Sequence, residues 1–193
     1  MAKEDRFIAE AEITKLAEEI QAKRKKLNEL RRSIPHEEVL DYSFIAHDGS
    51  EVKLSSLFGR QKEMILIHNM GKSCIYCTLW ADGLNGFVDH FENRAAFVVV
   101  SPDDYVIQRQ FALGRGWKFK MYSCKGTTFA EEMGFLIDGD HWPGVSAFVK
   151  SDSGVIYRVA HDFFGPGDDY CSLWHFFDLF PRGANGWQPK YSY

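Results

Sequence analysis

The sequence predicts an α/β protein with a central mixed sheet between two helical layers and a long helical extension at its N-terminus. Two apolar runs of strand length, Met64-Ile65-Leu66-Ile67-His68 and Phe97-Val98-Val99-Val100, read as strands buried on both faces. Segments of helical period follow each of them, which is the βαβ alternation of a parallel pair. Residues 3–33 stand apart from all of this, with no glycine and no aromatic except Phe7.

In that first segment apolar residues recur at Ile13, Leu16, Ile20, Leu27 and Leu30. These are the a and d positions of a heptad, with Lys23 as the one polar interruption. Ser33-Ile34-Pro35 ends the helix, because the residue before a proline is driven out of the helical region. The organisation is therefore a charged helix over 1–34 and a second unit over 35–193. Charge is polarised along the helix: residues 3–19 carry three basic and six acidic side chains, residues 20–32 six basic and one acidic. An isolated amphipathic helix needs packing to persist in water, so the seam predicts a homodimer, antiparallel so that acid meets base; the alternative is that the helix folds back along its own domain and buries the same stripe there.

The second unit opens with a strand over 41–46 and a turn at Asp48-Gly49. Val52-Lys53-Leu54 leads to a short helix ending at Gly59. After the first buried strand comes a helix carrying Trp80, Leu84, Phe87, Val88 and Phe91 on one face. Gly83 and Gly86 within it suggest close backbone packing. After the second buried strand, Ser101-Pro102-Asp103-Asp104 predicts a helix start, with serine as cap and proline in the first turn, ending near Gly114. Val145–Lys150 and Val155–Val159 flank the turn Ser151-Asp152-Ser153-Gly154 and predict a hairpin. An aromatic helix over 169–180 follows, stopped by Pro181. This order is the thioredoxin arrangement, and the strand near 42 is the extra one of peroxiredoxin-like variants. Parallel pairing through right-handed crossovers and an antiparallel late hairpin are expected.

The bulk numbers narrow the function. One hundred and ninety-three residues with 45% hydrophobic content are enough for one α/β domain and an appendage. A net charge of −4 offers no basic field for nucleic acid or an anionic membrane. No apolar run approaches the roughly 20 residues needed to span a bilayer. The charged N-terminus has no apolar stretch of a signal peptide behind it, which predicts a cytoplasmic protein. In that compartment four cysteines, 74, 77, 124 and 171, do not read as a disulfide framework. The close pair points to redox work or metal binding; Cys124 and Cys171 read as small buried hydrophobes.

The pair Cys74-Ile75-Tyr76-Cys77 lies between a buried strand and a helix start. A thiol attacks as thiolate, and the unpaired N–H groups and partial positive charge of a helix N-terminus favour the thiolate. Lys72 adds a nearby cation. Cys77, one turn in and more enclosed, can close a disulfide with Cys74. Cys74 is thus the expected nucleophile and Cys77 the resolving thiol. The carboxyl end of a central strand is also where α/β folds place ligands. A competing set is zinc bound by Cys74, Cys77, Cys171 and His175, the last two on one helix face. Against it, the last helix of this arrangement is expected to pack on the sheet away from the dithiol. His68 reads as a hydrogen-bonded core histidine rather than a general base.

The stretch Cys74-Ile75-Tyr76-Cys77-Thr78-Leu79-Trp80-Ala81-Asp82-Gly83-Leu84-Asn85-Gly86 resembles a bacterial thioredoxin-like family of unknown function. The resemblance continues through Val99-Val100-Ser101, Gly116-Trp117-Lys118-Phe119, Pro143-Gly144-Val145-Ser146-Ala147-Phe148 and Asp178-Leu179-Phe180-Pro181-Arg182-Gly183, and includes the charged N-terminal helix. It implies the fold and a redox role, and no substrate. Thioredoxins carry Trp-Cys-Gly-Pro-Cys, whereas Ser73 precedes this pair and Ile75-Tyr76 fill it. Where peroxiredoxins have a proline seven and a threonine three residues before their reactive cysteine, this chain has Ile67 and Gly71, which weighs against peroxidase activity. Thioredoxins also face their dithiol with a cis-proline; here Val145 takes that place and Pro143 lies two residues early.

The expectation is therefore a cytoplasmic thiol–disulfide oxidoreductase with Cys74, Cys77 and Lys72 as its site. It would act on a disulfide-containing protein or a small thiol, with an unidentified reductant and no cofactor or metal. The alternative is a non-catalytic binding or scaffold protein of the same fold.

Overall fold

The computed structural model describes residues 2–193, with side chains from Glu4 onward. The chain divides into two compact units, the first ending at His36 and the second running from Glu37 to Tyr193. The first is the helix α1 (Ala2–Ser33). Glu4 and Asp5 stand in its first turn and Arg31 and Arg32 in its last, each sign complementing the helix dipole. Its seam residues Ile13, Leu16, Ile20, Leu27 and Leu30 are all between 46% and 64% exposed.

The second unit begins with β1 (Glu37–Val39), β2 (Ser43–Ile45), β3 (Glu51–Lys53) and α2 (Leu54–Leu57). Its centre comprises β4 (Glu63–His68), α3 (Ile75–Asn85), α4 (Val88–Arg94), β5 (Ala96–Ser101), α5 (Tyr105–Arg115) and β6 (Lys120–Ser123). It closes with α6 (Phe129–Glu132), β7 (Leu136–Ile137), β8 (Asp140–His141), β9 (Gly144–Lys150), β10 (Ile156–Phe163) and α7 (Ser172–Phe177). Among the described residues one eight-stranded sheet runs β1-β10-β9-β4-β5-β6-β2-β3, and β7 and β8 form a separate hairpin. β4, β5 and β6 are parallel, and β9 is antiparallel to both β4 and β10.

The continuous apolar runs are explained by the period of a strand, which sends alternate side chains to opposite faces. Met64, Leu66, Val98 and Val100 enter one core layer with Phe44, Phe129, Phe135 and Phe148. Ile67, Phe97 and Val99 enter the other with Trp80, Leu84, Phe119 and Trp174. Both faces are covered, so polar alternation never appears in these strands.

Several local expectations are corrected. The helix after the first buried strand is two helices, α3 and α4, separated at Gly86-Phe87. Gly83 and Gly86 are exposed, and a Cβ at Gly83 would meet nothing within 4 Å. They relax the helix where it ends instead of admitting a neighbouring backbone. Ser101 does not cap α5: it ends β5, pairs with Ser123, and its hydroxyl accepts Gln108 Nε2 at 2.8 Å. Asp104 caps in its place, accepting the Val106 N–H at 3.1 Å. α5 runs past Gly114 to Arg115, where Gly116 supplies the left-handed cap at φ 69°. The last helix is shorter than expected. The Asp168 carboxylate takes the N–H groups of Tyr170 and Cys171 at 2.8 and 3.0 Å and holds them in a turn ahead of α7.

Candidate functional site

The turn between β4 and α3 is tied down at Asn69, Gly71 and Lys72. Gly71 has φ 101°, and a Cβ there would meet the Asp103 carboxylate at 2.8 Å, so only glycine fits. Its N–H donates to Asn69 Oδ1 at 2.8 Å, while Asn69 Nδ2 reaches the Cys77 carbonyl at 3.4 Å. Asp103 Oδ2 accepts the Lys72 N–H at 2.6 Å, and the Tyr191 hydroxyl donates to the Lys72 carbonyl at 2.9 Å. The sequence places Asp103 among the acids at the start of α5; its carboxylate instead braces the dithiol loop. Nothing local in the sequence assigns that role to Asp103 or Tyr191, because their partner Lys72 lies in another segment, whereas Asn69 braces its own turn.

Cys74 is the N-cap of α3 and is disulfide-bonded to Cys77, with Cα atoms 5.2 Å apart. Its Sγ accepts the Cys77 N–H at 3.0 Å. Cys74 is half-buried, whereas Cys77 is only 2% exposed. The two cysteines thus differ in exposure. Lys72 lies two residues ahead and is exposed.

The surroundings are aromatic. Tyr76 lies 6.2 Å from Trp174 of α7 and 6.3 Å from Trp80, ring centre to ring centre. Trp80 in turn contacts Phe164, which contacts Tyr170. The last helix therefore packs beside the dithiol helix, not away from it as expected. The loop after β10 turns back over α3, placing Phe164, Cys171 and Trp174 in the same apolar layer as Cys77. The zinc set is nevertheless not assembled. Cys74 and Cys77 are bonded to each other, Cys171 is buried, and His175 is exposed with Nε2 3.4 Å from Asp169. Among the described residues no three His, Cys, Asp or Glu side chains gather as a metal set.

Cys124 and Cys171 are free and buried, as small hydrophobes would be. Burial pushes the Cys124 thiol up to about 12 and raises that of Cys171, so neither is poised to react near neutral pH. His68 is a core residue. Its Nε2 lies 2.9 Å from Ser146 Oγ, its ring stacks on Phe135, and burial holds its imidazole well below the ordinary value. Val145 lies opposite Ile67 in the sheet, and among the described residues every peptide bond is trans.

Asp82, in the Trp-Ala-Asp-Gly stretch, proves to be a lock between helices. Its carboxylate takes the Arg115 guanidinium through Nε at 2.8 Å and through Nη2, and the Trp117 indole N–H at 2.8 Å. Arg115 Nη1 also donates to the Tyr191 carbonyl at 2.9 Å, linking the lock to the residue that braces the dithiol loop. Asp82→Ala is expected to cost about 1–2 kcal/mol, discounted for partial exposure. Urea unfolding of both chains measures this; an unchanged midpoint would show that the lock contributes nothing.

A mixed sheet with a dithiol opening the helix after a central parallel strand is a thioredoxin-like fold. The likeness to solved structures agrees. A peroxidoxin, BcpB, from Mycobacterium tuberculosis is 20% identical with a TM-score of 0.55, over 71% of this chain and 88% of that one. A peroxiredoxin-like protein from Aquifex aeolicus is 15% identical with a TM-score of 0.53, over 66% of this chain and 74% of that one. The mitochondrial 2-Cys peroxiredoxin from Plasmodium falciparum is 14% identical with a TM-score of 0.51, over 68% of this chain and 83% of that one. At these identities the likeness shows the fold alone. The chain belongs to the family of bacterial proteins of unknown function DUF899, whose pattern matches residues 2–193. None of the curated proteins matches the sequence. No helix among the described residues is long and apolar enough to cross a membrane.

Proposed function

We propose that the protein is a thiol–disulfide oxidoreductase acting through Cys74 and Cys77. One observation carries this reading: at the N-cap of an 11-residue helix, the Cys77 N–H points to Cys74 Sγ at 3.0 Å. In the reduced protein the same N–H and the helix N-terminus favour a thiolate on Cys74, and the exposed Lys72 ammonium adds a smaller contribution.

The Cys74 thiolate attacks one sulfur of a substrate disulfide. That S–S bond breaks, and the departing sulfur leaves as a thiolate that takes up a proton. Cys77, losing its proton, then attacks Cys74 Sγ and releases the second substrate thiol. The substrate gains two electrons and the protein ends as the Cys74–Cys77 disulfide. A dithiol reductant reverses the exchange on the protein. The substrate is a disulfide-containing protein or a small disulfide.

Two measurements test the reading. Titration of the purified chain against thiol–disulfide buffers is expected to give one reversible two-electron couple; two inert thiols would favour the binding or scaffold role. In Cys77→Ser, alkylation of Cys74 is expected to rise with pH through a midpoint below the roughly 8.5 of an ordinary thiol. A midpoint at or above that value would remove the basis for calling Cys74 the nucleophile.

A further inference from the structure

We propose that α1 pairs with the α1 of a second copy of this chain as a two-stranded antiparallel coiled coil. The inference is independent of the dithiol chemistry. It rests on the exposure of the whole apolar seam, on the seam's heptad spacing, and on where the charges beside it fall.

The spacing sets a register. In an antiparallel pair each a residue stacks on a d residue of the other strand. With the two-fold axis passing between Gln21 and Ala22, Ile13 faces Leu30 of the second copy, Leu16 faces Leu27, and Ile20 faces Lys23. All the apolar seam residues are then used. The single polar member lies next to the axis, where its alkyl stem covers Ile20 while its ammonium reaches water.

The flanking charges choose between the two orientations. In the antiparallel register the e positions meet each other and the g positions meet each other. Glu10 then lies opposite Arg31, and Glu19 opposite Lys26, each contact occurring twice by symmetry. In a parallel in-register pair g meets e. That sets Asp5 against Glu10 and Lys26 against Arg31, with only Glu19 against Arg24 attractive. The antiparallel pair has two kinds of attractive contact and no repulsive one; the parallel pair has more repulsion than attraction. Exposed ion pairs are individually weak and screened by salt, so the apolar seam supplies the affinity and the charges supply the direction.

The test uses the full chain. Light scattering at micromolar concentration is expected to give twice the chain mass. Leu16→Asp combined with Leu27→Asp is expected to give the mass of one chain, with the thiol titration of the second unit unchanged. Lys26→Glu separates the orientations. In the antiparallel pair it sets a second carboxylate opposite Glu19 and is expected to weaken association roughly tenfold. In the parallel pair the introduced carboxylate would lie opposite Arg31 and tighten association. Glu19→Lys is expected to weaken self-association to a similar degree, and an equimolar mixture of the two single variants to recover it, because the mixed pair has opposite charges at both contacts. A wild-type chain that stays single up to about 100 µM would overturn the proposal and leave the seam to another surface of its own chain. A double-aspartate variant that remains a dimer would place the interface elsewhere. A Lys26→Glu chain that associates more tightly would overturn the antiparallel arrangement.

Discussion

Cys74→Ser is expected to abolish disulfide exchange, lowering turnover by roughly three orders of magnitude or more, because serine offers no thiolate to attack. Cys77→Ser is expected to behave differently. Its Cys74 still attacks, but nothing resolves the mixed disulfide, so the variant stalls after one exchange and accumulates in covalent complexes. The asymmetry has a structural origin. Cys74 is half-buried at the helix cap, whereas Cys77 is enclosed in the core layer with Tyr76 and Trp80. The check is non-reducing electrophoresis after trapping in cells, with wild type, each serine variant and the double variant side by side. Complexes on Cys74→Ser and none on Cys77→Ser would reverse the two roles. Complexes on neither, with no reversible couple in the titration, would move the protein to the binding or scaffold class. Trapping also identifies a protein substrate, since the captured protein is held through one sulfur of the disulfide that was attacked.

Gly144→Ala is expected to cost about 3 kcal/mol. Gly144 sits in β9 opposite His68 of β4 and Phe163 of β10. A Cβ there would meet the Asp162 carbonyl oxygen at 2.3 Å and the Phe135 ring at 2.4 Å. One obstacle is backbone, and the other is a ring stacked on His68. The backbone obstacle cannot move without disturbing the β9–β10 pairing at Asp162, and the ring is fully buried. Gly83→Ala is the matched control. It adds the same methyl group to an exposed helical position with open space around it, where alanine is the better helix former. It is expected to stabilise by about 0.5–1 kcal/mol. Urea unfolding of the three chains measures both; equal midpoints for Gly144→Ala and wild type would show that the sheet yields at this point.

The amino-acid sequence by itself determined the layers of this fold and the location of its dithiol. Runs such as 64–68 and 97–100 are apolar throughout because both faces of a central strand are covered, and that pattern is local. The same holds for the heptad seam of α1 and for Cys74 and Cys77, whose spacing lets them close a disulfide within one turn of helix. Helix punctuation is less legible. Ser101 offers every local sign of a cap, yet the sheet claims its backbone through Ser123 and Gln108 claims its hydroxyl. β1 and β6 leave no signal in the sequence because three or four residues carry too little periodicity to register; they exist by pairing with distant chain, β1 with β10 and β6 with β5. Gly83 and Gly86 suggest packing they do not make, since a glycine's sequence position does not say whether it faces a neighbour or water.

The tertiary structure alone decided what surrounds the dithiol. Asp103, Tyr191 and Trp174 come from segments far along the chain and converge on residues 72–76 only after folding. Their roles are carried by single hydrogen bonds and ring contacts between remote residues, and such contacts leave no period, spacing or composition behind. A thiol's attacking character depends on the helix it caps, which the sequence shows. The shape and bracing of the site depend on contacts across the fold, which the sequence holds only as the final result of packing.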